Sequence, residues 1–483
     1  MTAAKQTNIK YWIHTIIGLV LMFGIQHIPP VAPITEIGMQ IGGIFIGAIY
    51  LWSTVGTFWP SLVGILALAF TDYADMDVMF GAFTGFLPLI MLFSMILFGA
   101  VGDCGLTHYI ARWFLTRKVI NGRPSVFNFF IMLAAFVVSA FIDPLMALLV
   151  LWPSLYVILD EVGYTAKDEY SKILVVATFL AVVLGQCTMP FFGGQLVILG
   201  AFEAATGIPT DYGAYILFNI LTSVVIILAT ALLIKFVLRP DMQKMASITI
   251  EQINKNPLPP MNLQQKIYTV AALSIVVFAL APSVLPAEWA IVGWMNRLNL
   301  VGFTMLVIAL LVIIQVDGKP VLDPVHITKE YVMWDLYLLV VLAVFLSNCL
   351  LDDATGIKPF LIQLLNPIFE GRGTMFFMIF MIVFGALLTN VANNAVSGAV
   401  LMQVIAALSP SLGIDNPAPL AMTVTMAMFL AILTPAASPY AAVLHSNKER
   451  VSMGDIGKYG AIFMVMATIL YIVVGLPLAN ILF

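Results

Sequence analysis

The stretch LLTNVANNAVSGAV, residues 387–400, sets Thr389, Asn390, Asn393 and Asn394 into sequence that otherwise reads as membrane-buried. A side-chain amide carries both N–H donors and a carbonyl acceptor, so it can donate to an oxyanion or turn its oxygen to a small cation. A second stretch, FIDPLM at 141–146, puts Asp143 in a similar setting. A carboxylate at membrane depth is costly and by default marks an ion or proton pathway. Asp-Pro is also a normal helix start, with Asp143 as cap and Pro144 at the first position, and both roles are open. Two further apolar runs are interrupted, one by Pro190, Gly193 and Gly194, the other by Pro435 and Pro439. A break at membrane depth frees backbone groups that must be buried in protein or line a cavity. Freed N–H groups at half-helix N-termini favour an anion, and freed carbonyls suit a small cation.

Such groups must be held by elements that live in lipid, and the composition supplies them. Hydrophobic residues make up 61% of the 483 positions, charged residues 10%, and the mean hydropathy is +1.04, so the solvent of this fold is a bilayer. Apolar runs near 11–29, 36–54, 56–71, 79–103, 172–205, 213–238, 266–285, 290–316, 331–351, 418–446 and 458–482 give eleven expected crossings. Two more runs, 124–159 and 374–408, are too long for one helix and carry the polar stretches at their middles. Each reads as a re-entrant hairpin that enters and leaves on one side. With the N-terminus cytoplasmic and the C-terminus outside, 18 of the 21 Lys and Arg fall inside, a strong positive-inside bias that an odd crossing at either hairpin would destroy. Cys104, Cys187 and Cys349 lack pairing or metal spacing, and a net charge of −4 argues against nucleic acid as a partner.

Sliding the chain on itself by 247 residues aligns Phe129 and Phe130 with Phe376 and Phe377, and Asp143 with Asn390. At a shift of 250, FLAVVLGQCTMP (179–190) meets FLAILTPAASPY (429–440), which pairs Thr188 with Ser438. The hairpins open to opposite sides, so the halves are inverted, the plan of secondary transporters whose site lies at the midplane between repeats. The expected organisation is N-terminal scaffold helices at 1–78, a first repeat at 79–238, a linking segment at 239–330 and a second repeat at 331–483.

The last broken run, FLAILTPAASPYAAVLHS followed by VSMGDIGKYG, resembles the signature of the divalent anion/sodium symporter family within the ion transporter superfamily. Span order and inverted repeat agree with that family over nearly the full length. The resemblance implies an all-helical, elevator-type transporter, usually a homodimer, with interfacial helices at 105–121 and 356–372. It also implies Ser-Asn-Thr triplets at the hairpin tips that bind sodium and substrate carboxylates. Here the second triplet falls on Ala392, Asn393 and Asn394, and the first is replaced by Asp143 and Pro144. On this basis substrate is expected at Asn393, Asn394, Thr188, Ser438, Pro439 and Gly193. The coupling ion is expected at Asp143, Ser139, Asn390, Thr389, Asn393 and Ala437.

The expected function is secondary transport of a small anion of the di- or tricarboxylate, sulfate or sulfonate type, coupled to sodium or protons or run as exchange in a cell membrane. A cation/proton antiporter or an arsenite-type permease is the alternative. Sodium is the only cofactor expected. An intramembrane protease finds no support, because there is no His-Glu-x-x-His and no Ser-His arrangement at membrane depth.

Overall fold

The structure, a computed structural model, describes residues 2–191, 193–247, 260–435 and 437–483. It is a bundle of helices; the one ladder among the described residues is a two-residue antiparallel pair, Gln315–Val316 with Lys319–Pro320. Its turn residues, Asp317 and Gly318, both have positive φ (52° and 74°), as a tight hairpin turn requires. Ten described helices are long and apolar enough to cross a bilayer, or up to 12 if each of two bent pairs is one span. This is an integral membrane protein.

The two long interrupted runs form helical hairpins. The first is Pro124–Phe141 and Pro144–Glu161, the second Thr374–Leu388 and Asn394–Leu408. Proline at N1 starts both helices of the first hairpin, where its missing N–H costs nothing. Before each hairpin lies a short amphipathic helix, Leu106–Leu115 or Ile357–Phe369, and the second of these meets Thr374–Leu388 at 104°. After each hairpin comes a broken helix: Glu169–Gln186 with Gly194–Thr206, and Ala418–Ala427 with Pro439–Ser446. Tyr170 to Gln186, apart from Lys172, and all of Ala418–Ala427 are buried, so they form the inside of the bundle. By contrast Thr2–Gly24, Leu263–Val284 and Ala290–Ile313 expose apolar side chains such as Trp12, Val270 and Leu310 to lipid.

Close backbone contacts at glycines set the packing. A Cβ on Gly185 would lie 2.2 Å from the Phe136 carbonyl oxygen, which presses Glu169–Gln186 onto the first hairpin. A Cβ on Gly398 would lie 2.3 Å from Ile198, and one on Gly194 2.9 Å from Ala395, so the second hairpin packs on the broken helix of the first repeat. The repeats are therefore interleaved.

Three expectations are revised. The run expected as 331–351 starts at Trp334, after a separate helix Pro324–Tyr331 set at 70° to it. The run at 79–103 divides into Met76–Phe83 and Phe86–Asp103. The half helices of the two breaks restart at Gly194 and Pro439, an offset of 245 and not 250, so the structural counterpart of Ser438 is Gly193 rather than Thr188.

Candidate functional site

Four helices start in the middle of the apolar runs, at Pro144, Gly194, Asn394 and Pro439, and each presents the partial positive charge of a helix N-terminus. Three are linked through the start at Asn394. Gly194 adjoins Ala395 at the start of the second hairpin's return helix. Asn394 Nδ2 donates to the Tyr440 hydroxyl at 3.0 Å, one residue into the half helix that begins at Pro439. The Tyr440 ring also rests on Phe179, centroids 6.2 Å apart. Asn393 caps its helix by accepting from Val396 N at 3.1 Å, and Ser438 caps its own by accepting from Ala441 N at 3.1 Å. Gly193, at φ 101°, precedes Gly194 and has no side chain with which to cap the turn.

The carbonyls freed by the first break are taken up internally. Gln195 Nε2 donates to the Gln186 and Met189 carbonyls at 2.9 and 2.8 Å, and Asn219 Nδ2 donates to the Cys187 carbonyl at 2.8 Å. Thr188 reaches Asn219 Oδ1 at 3.5 Å and is buried. The second break is held by the hairpin tip. Asn390 Nδ2 donates to the Ala386 and Leu430 carbonyls at 2.8 and 3.1 Å, and its Oδ1 accepts from Ile432 N and Leu433 N at 2.9 and 2.7 Å. Thr389 donates to the Met428 carbonyl and Thr434 to that of Asn390. Ala437 is buried in the same break, its N–H 3.3 Å from the Thr434 carbonyl oxygen.

Among the described residues the first tip makes no comparable attachment. Asp143 Oδ1 accepts from Leu145 N at 2.8 Å, the capping role read from Asp-Pro. The same residue is exposed to a cavity of about 240 Å³ lined by Met95, Phe98, His108, Met146 and Tyr331. One turn earlier the Ser139 hydroxyl is buried without a partner. The expected ion ligands thus divide: Asp143 stands at an open tip with Ser139 buried one turn behind it, whereas Asn390 and Thr389 have their side-chain groups engaged with backbone.

One polar face ties the repeats together. At the mouth of the first hairpin Arg450 makes a bidentate pair with Asp160 (2.7 and 2.6 Å), and Asn447 donates to Tyr156. Lys172 and Lys458 pair with Asp455 and Glu169 at 3.2 and 3.0 Å. Beside them the Thr165 N–H and hydroxyl, at 2.7 and 2.8 Å, with Lys244 behind, hold the Asp168 carboxyl below the usual carboxylate range. Exposed pairs of this kind contribute about 0–1 kcal/mol each; they link the first hairpin to the segment that follows the second broken helix, and the first broken helix to the last helix, Met453–Leu470.

Tyr440, Gln195 and Asn219 were not singled out by sequence reasoning. A signal existed for two of them: Gln195 directly follows the Gly-Gly break and Tyr440 directly follows Ser-Pro. Asn219 is one polar residue in an apolar span, and its role needs the fold.

The sequence model described as the sodium:sulfate symporter transmembrane region matches residues 9–483. No curated protein matches the chain. Among solved structures, the YdaH transporter of Alcanivorax borkumensis, reported to have an unusual topology, is similar at a TM-score of 0.56 and 14% identity, over 84% of this chain and 88% of that one. At that identity the likeness speaks for the fold alone.

Proposed function

The chain belongs to the sodium:sulfate symporter family, and we propose that it moves a small anion, with sulfate the first to try, by secondary active transport coupled to a cation at Asp143. The observation that carries this reading is the meeting of half-helix N-termini at Gly194, Asn394 and Pro439, joined by the Gly194–Ala395 contact and the Asn394–Tyr440 hydrogen bond. Several helix dipoles aimed at one place stabilise an anion without any buried cationic side chain. The uncapped turn at Gly194 supplies donors, and the Asn393 and Asn394 amides and the Ser438 hydroxyl border it.

The coupling cation belongs to the first tip, where the Asp143 carboxylate and the unpartnered Ser139 hydroxyl offer oxygen ligands for sodium or a site for a proton. The second tip fits such an ion poorly, because both acceptor positions of Asn390 Oδ1 are occupied. Hairpins and broken helices, tied by Arg450–Asp160 and its neighbours, move as one body against the remaining helices. With the basic face cytoplasmic, the cavity at Asp143 opens inward. The protein works as a homodimer, as the family resemblance implies.

The test is uptake of labelled sulfate, succinate and citrate into proteoliposomes under a sodium or a proton gradient. Asp143→Asn should abolish dependence on the cation while the protein still elutes as folded. Transport of none of these anions under either gradient would falsify the anion reading. One observation favours a cation/proton antiporter instead: His108 is the only basic side chain lining the cavity at Asp143. Collapse of a pH gradient on adding a cation alone would support it.

A further inference from the structure

The two amphipathic helices leave their preceding spans through connections built on one plan. Phe86–Asp103 ends at Asp103, and Gly105 (φ 73°) turns the chain into Leu106–Leu115. Trp334–Leu350 is followed by Asp352, and Gly356 (φ 66°) turns the chain into Ile357–Phe369. In each, the carboxylate accepts at 2.9 Å a tyrosine hydroxyl from the chain that leads into the other repeat. Tyr331, just before the first span of the second repeat, donates to Asp103, and Tyr73, just before the spans of the first, donates to Asp352. The exchange is reciprocal, as an inverted repeat demands.

A third part is also matched. The carbonyl of Cys104 accepts from Gln265 Nε2 at 3.0 Å, and Gln265 lies in the first turn of Leu263–Val284. The carbonyls of Ala354 and Thr355 accept from the Thr35 hydroxyl and N–H at 2.6 and 3.0 Å, and Thr35 caps Glu36–Thr54. Each connection thus has a carboxylate–tyrosine bond, a backbone carbonyl held by a scaffold helix start, and a left-handed glycine. His326 adds a 3.3 Å contact to Asp103 that has no counterpart at Asp352 among the described residues.

We infer that Tyr331–Asp103 and Tyr73–Asp352 are reciprocal anchors that fix the scaffold ends of the two amphipathic helices, so that movement of the hairpins becomes a swing about Gly105 and Gly356. This rests on the moving-body reading above. A hydrogen bond to a carboxylate is strong enough to hold a hinge end in place, and a left-handed glycine is where backbone rotation meets least steric resistance. The spans on either side are packed and rigid. At Gly356 a Cβ would lie 2.0 Å from the Pro33 carbonyl oxygen, and at Gly105 the nearest atom would be 4.0 Å away. The first hinge therefore has room and the second is tightly backed.

The test uses the full chain in liposomes with Cys104, Cys187 and Cys349 replaced by alanine and Met146→Cys as reporter, a position that is exposed and lines the cavity at Asp143. The rate of modification by a membrane-impermeant maleimide reports how often the cavity is open. Tyr331→Phe and Asp103→Asn should each change that rate about tenfold, the effect of one charge-assisted hydrogen bond. The double variant should change it no further. Tyr73→Phe and Asp352→Asn should shift it in the opposite direction, with the two pairs additive. Gly105→Ala has space for its methyl but holds alanine at a left-handed φ of 73°, so it stiffens and strains the first hinge; it keeps that hinge testable where a clasp variant fails to fold, and should slow labelling while lowering the unfolding temperature by a few degrees. Equal rates across all these variants overturn the anchors. A chemical tether between Met146→Cys and Met333→Cys, across the same cavity, separates the two ideas. If the tether blocks sulfate uptake while the clasp variants label normally, only the anchors fail. If the tethered protein transports as before, the moving body fails and the anchors with it.

Discussion

Asn390 gives the sharpest test of how the second hairpin works. Asn390→Ala removes two donors and one acceptor that between them bind Leu430, Ile432 and Leu433 in the unwound segment. Water does not replace them, because Asn390 and Ile432 are buried. Each buried N–H left without a partner costs about 1–3 kcal/mol. Ile432 N keeps its 3.1 Å contact with the Leu430 carbonyl oxygen and Leu433 is half-buried, so both recover part of their loss and the sum is about 2–3 kcal/mol. At about 2–4 °C per kcal/mol for large domains, the apparent unfolding temperature in detergent should fall by roughly 5–10 °C. Asn390→Asp keeps the acceptor but turns the donor that meets Leu430 into a second acceptor, and should lose at least as much at pH 7. The assay is intrinsic tryptophan fluorescence during heating, with sodium-dependent uptake measured on the same preparation. An alanine variant that melts with the wild type yet loses sodium dependence would refute the reasoning and make Asn390 an ion ligand.

Tyr440→Phe removes the hydroxyl that orders Asn394 while keeping the ring on Phe179; the concentration of sulfate for half-maximal uptake should rise about fivefold with little change in melting. Gly185→Ala forces a methyl to within 2.2 Å of the Phe136 carbonyl oxygen and should destabilise by about 3 kcal/mol or more. Gly42→Ala, whose methyl would meet Ile357 at 3.8 Å, is the control and should be near neutral on the same melting assay. Asp168 has a lowered carboxyl pKa in the fold, so its contribution is present above the unfolded value of about 3.9 and disappears as pH falls through the folded value. Asp168→Asn should therefore melt below wild type at pH 7, and the gap should close below about pH 4; a gap that widens there would overturn the assignment.

The hairpins were legible because length and polarity conflict within their runs. A stretch of over 30 residues cannot be one bilayer helix, and FIDPLM and TNVANN supply the only places to turn. The capping of Pro144 was legible for the same reason: Asp before Pro has one common helical use. The register of the breaks was not. The match of Phe179-Leu180-Ala181 with Phe429-Leu430-Ala431 is real as sequence, but the first triplet is helical and the second is unwound. The first break runs from 187 to 193 and the second from 428 to 438, so the second is longer by four residues. Those extra residues carry the backbone groups that Asn390 binds. Period and hydropathy do not register such a difference, because both segments are equally apolar. Tertiary hydrogen bonds decide it, which is also why Asn390 looked like an ion ligand when only its depth was known. Gln195 and Asn219 were missed on the same ground, since each acts on a carbonyl that exists as a free acceptor only once the helix has broken.

The attachment of the second tip bears on how the chain enters the membrane. Apart from the Ala386 carbonyl, four residues back, the backbone partners of Asn390 and Thr389 lie 39 to 44 residues downstream. At about 5–20 residues per second, several seconds of synthesis separate the emergence of that tip from that of its partners. During this interval the amide and hydroxyl must stay beside the translocation machinery or in the interfacial layer, because hydrocarbon offers them nothing. The first tip has no such wait: Asp143 finds its hydrogen bond two residues on, at Leu145. The two halves of the chain, alike in plan, must then be inserted on different schedules, the first hairpin as an independent unit and the second only together with the segment it clasps.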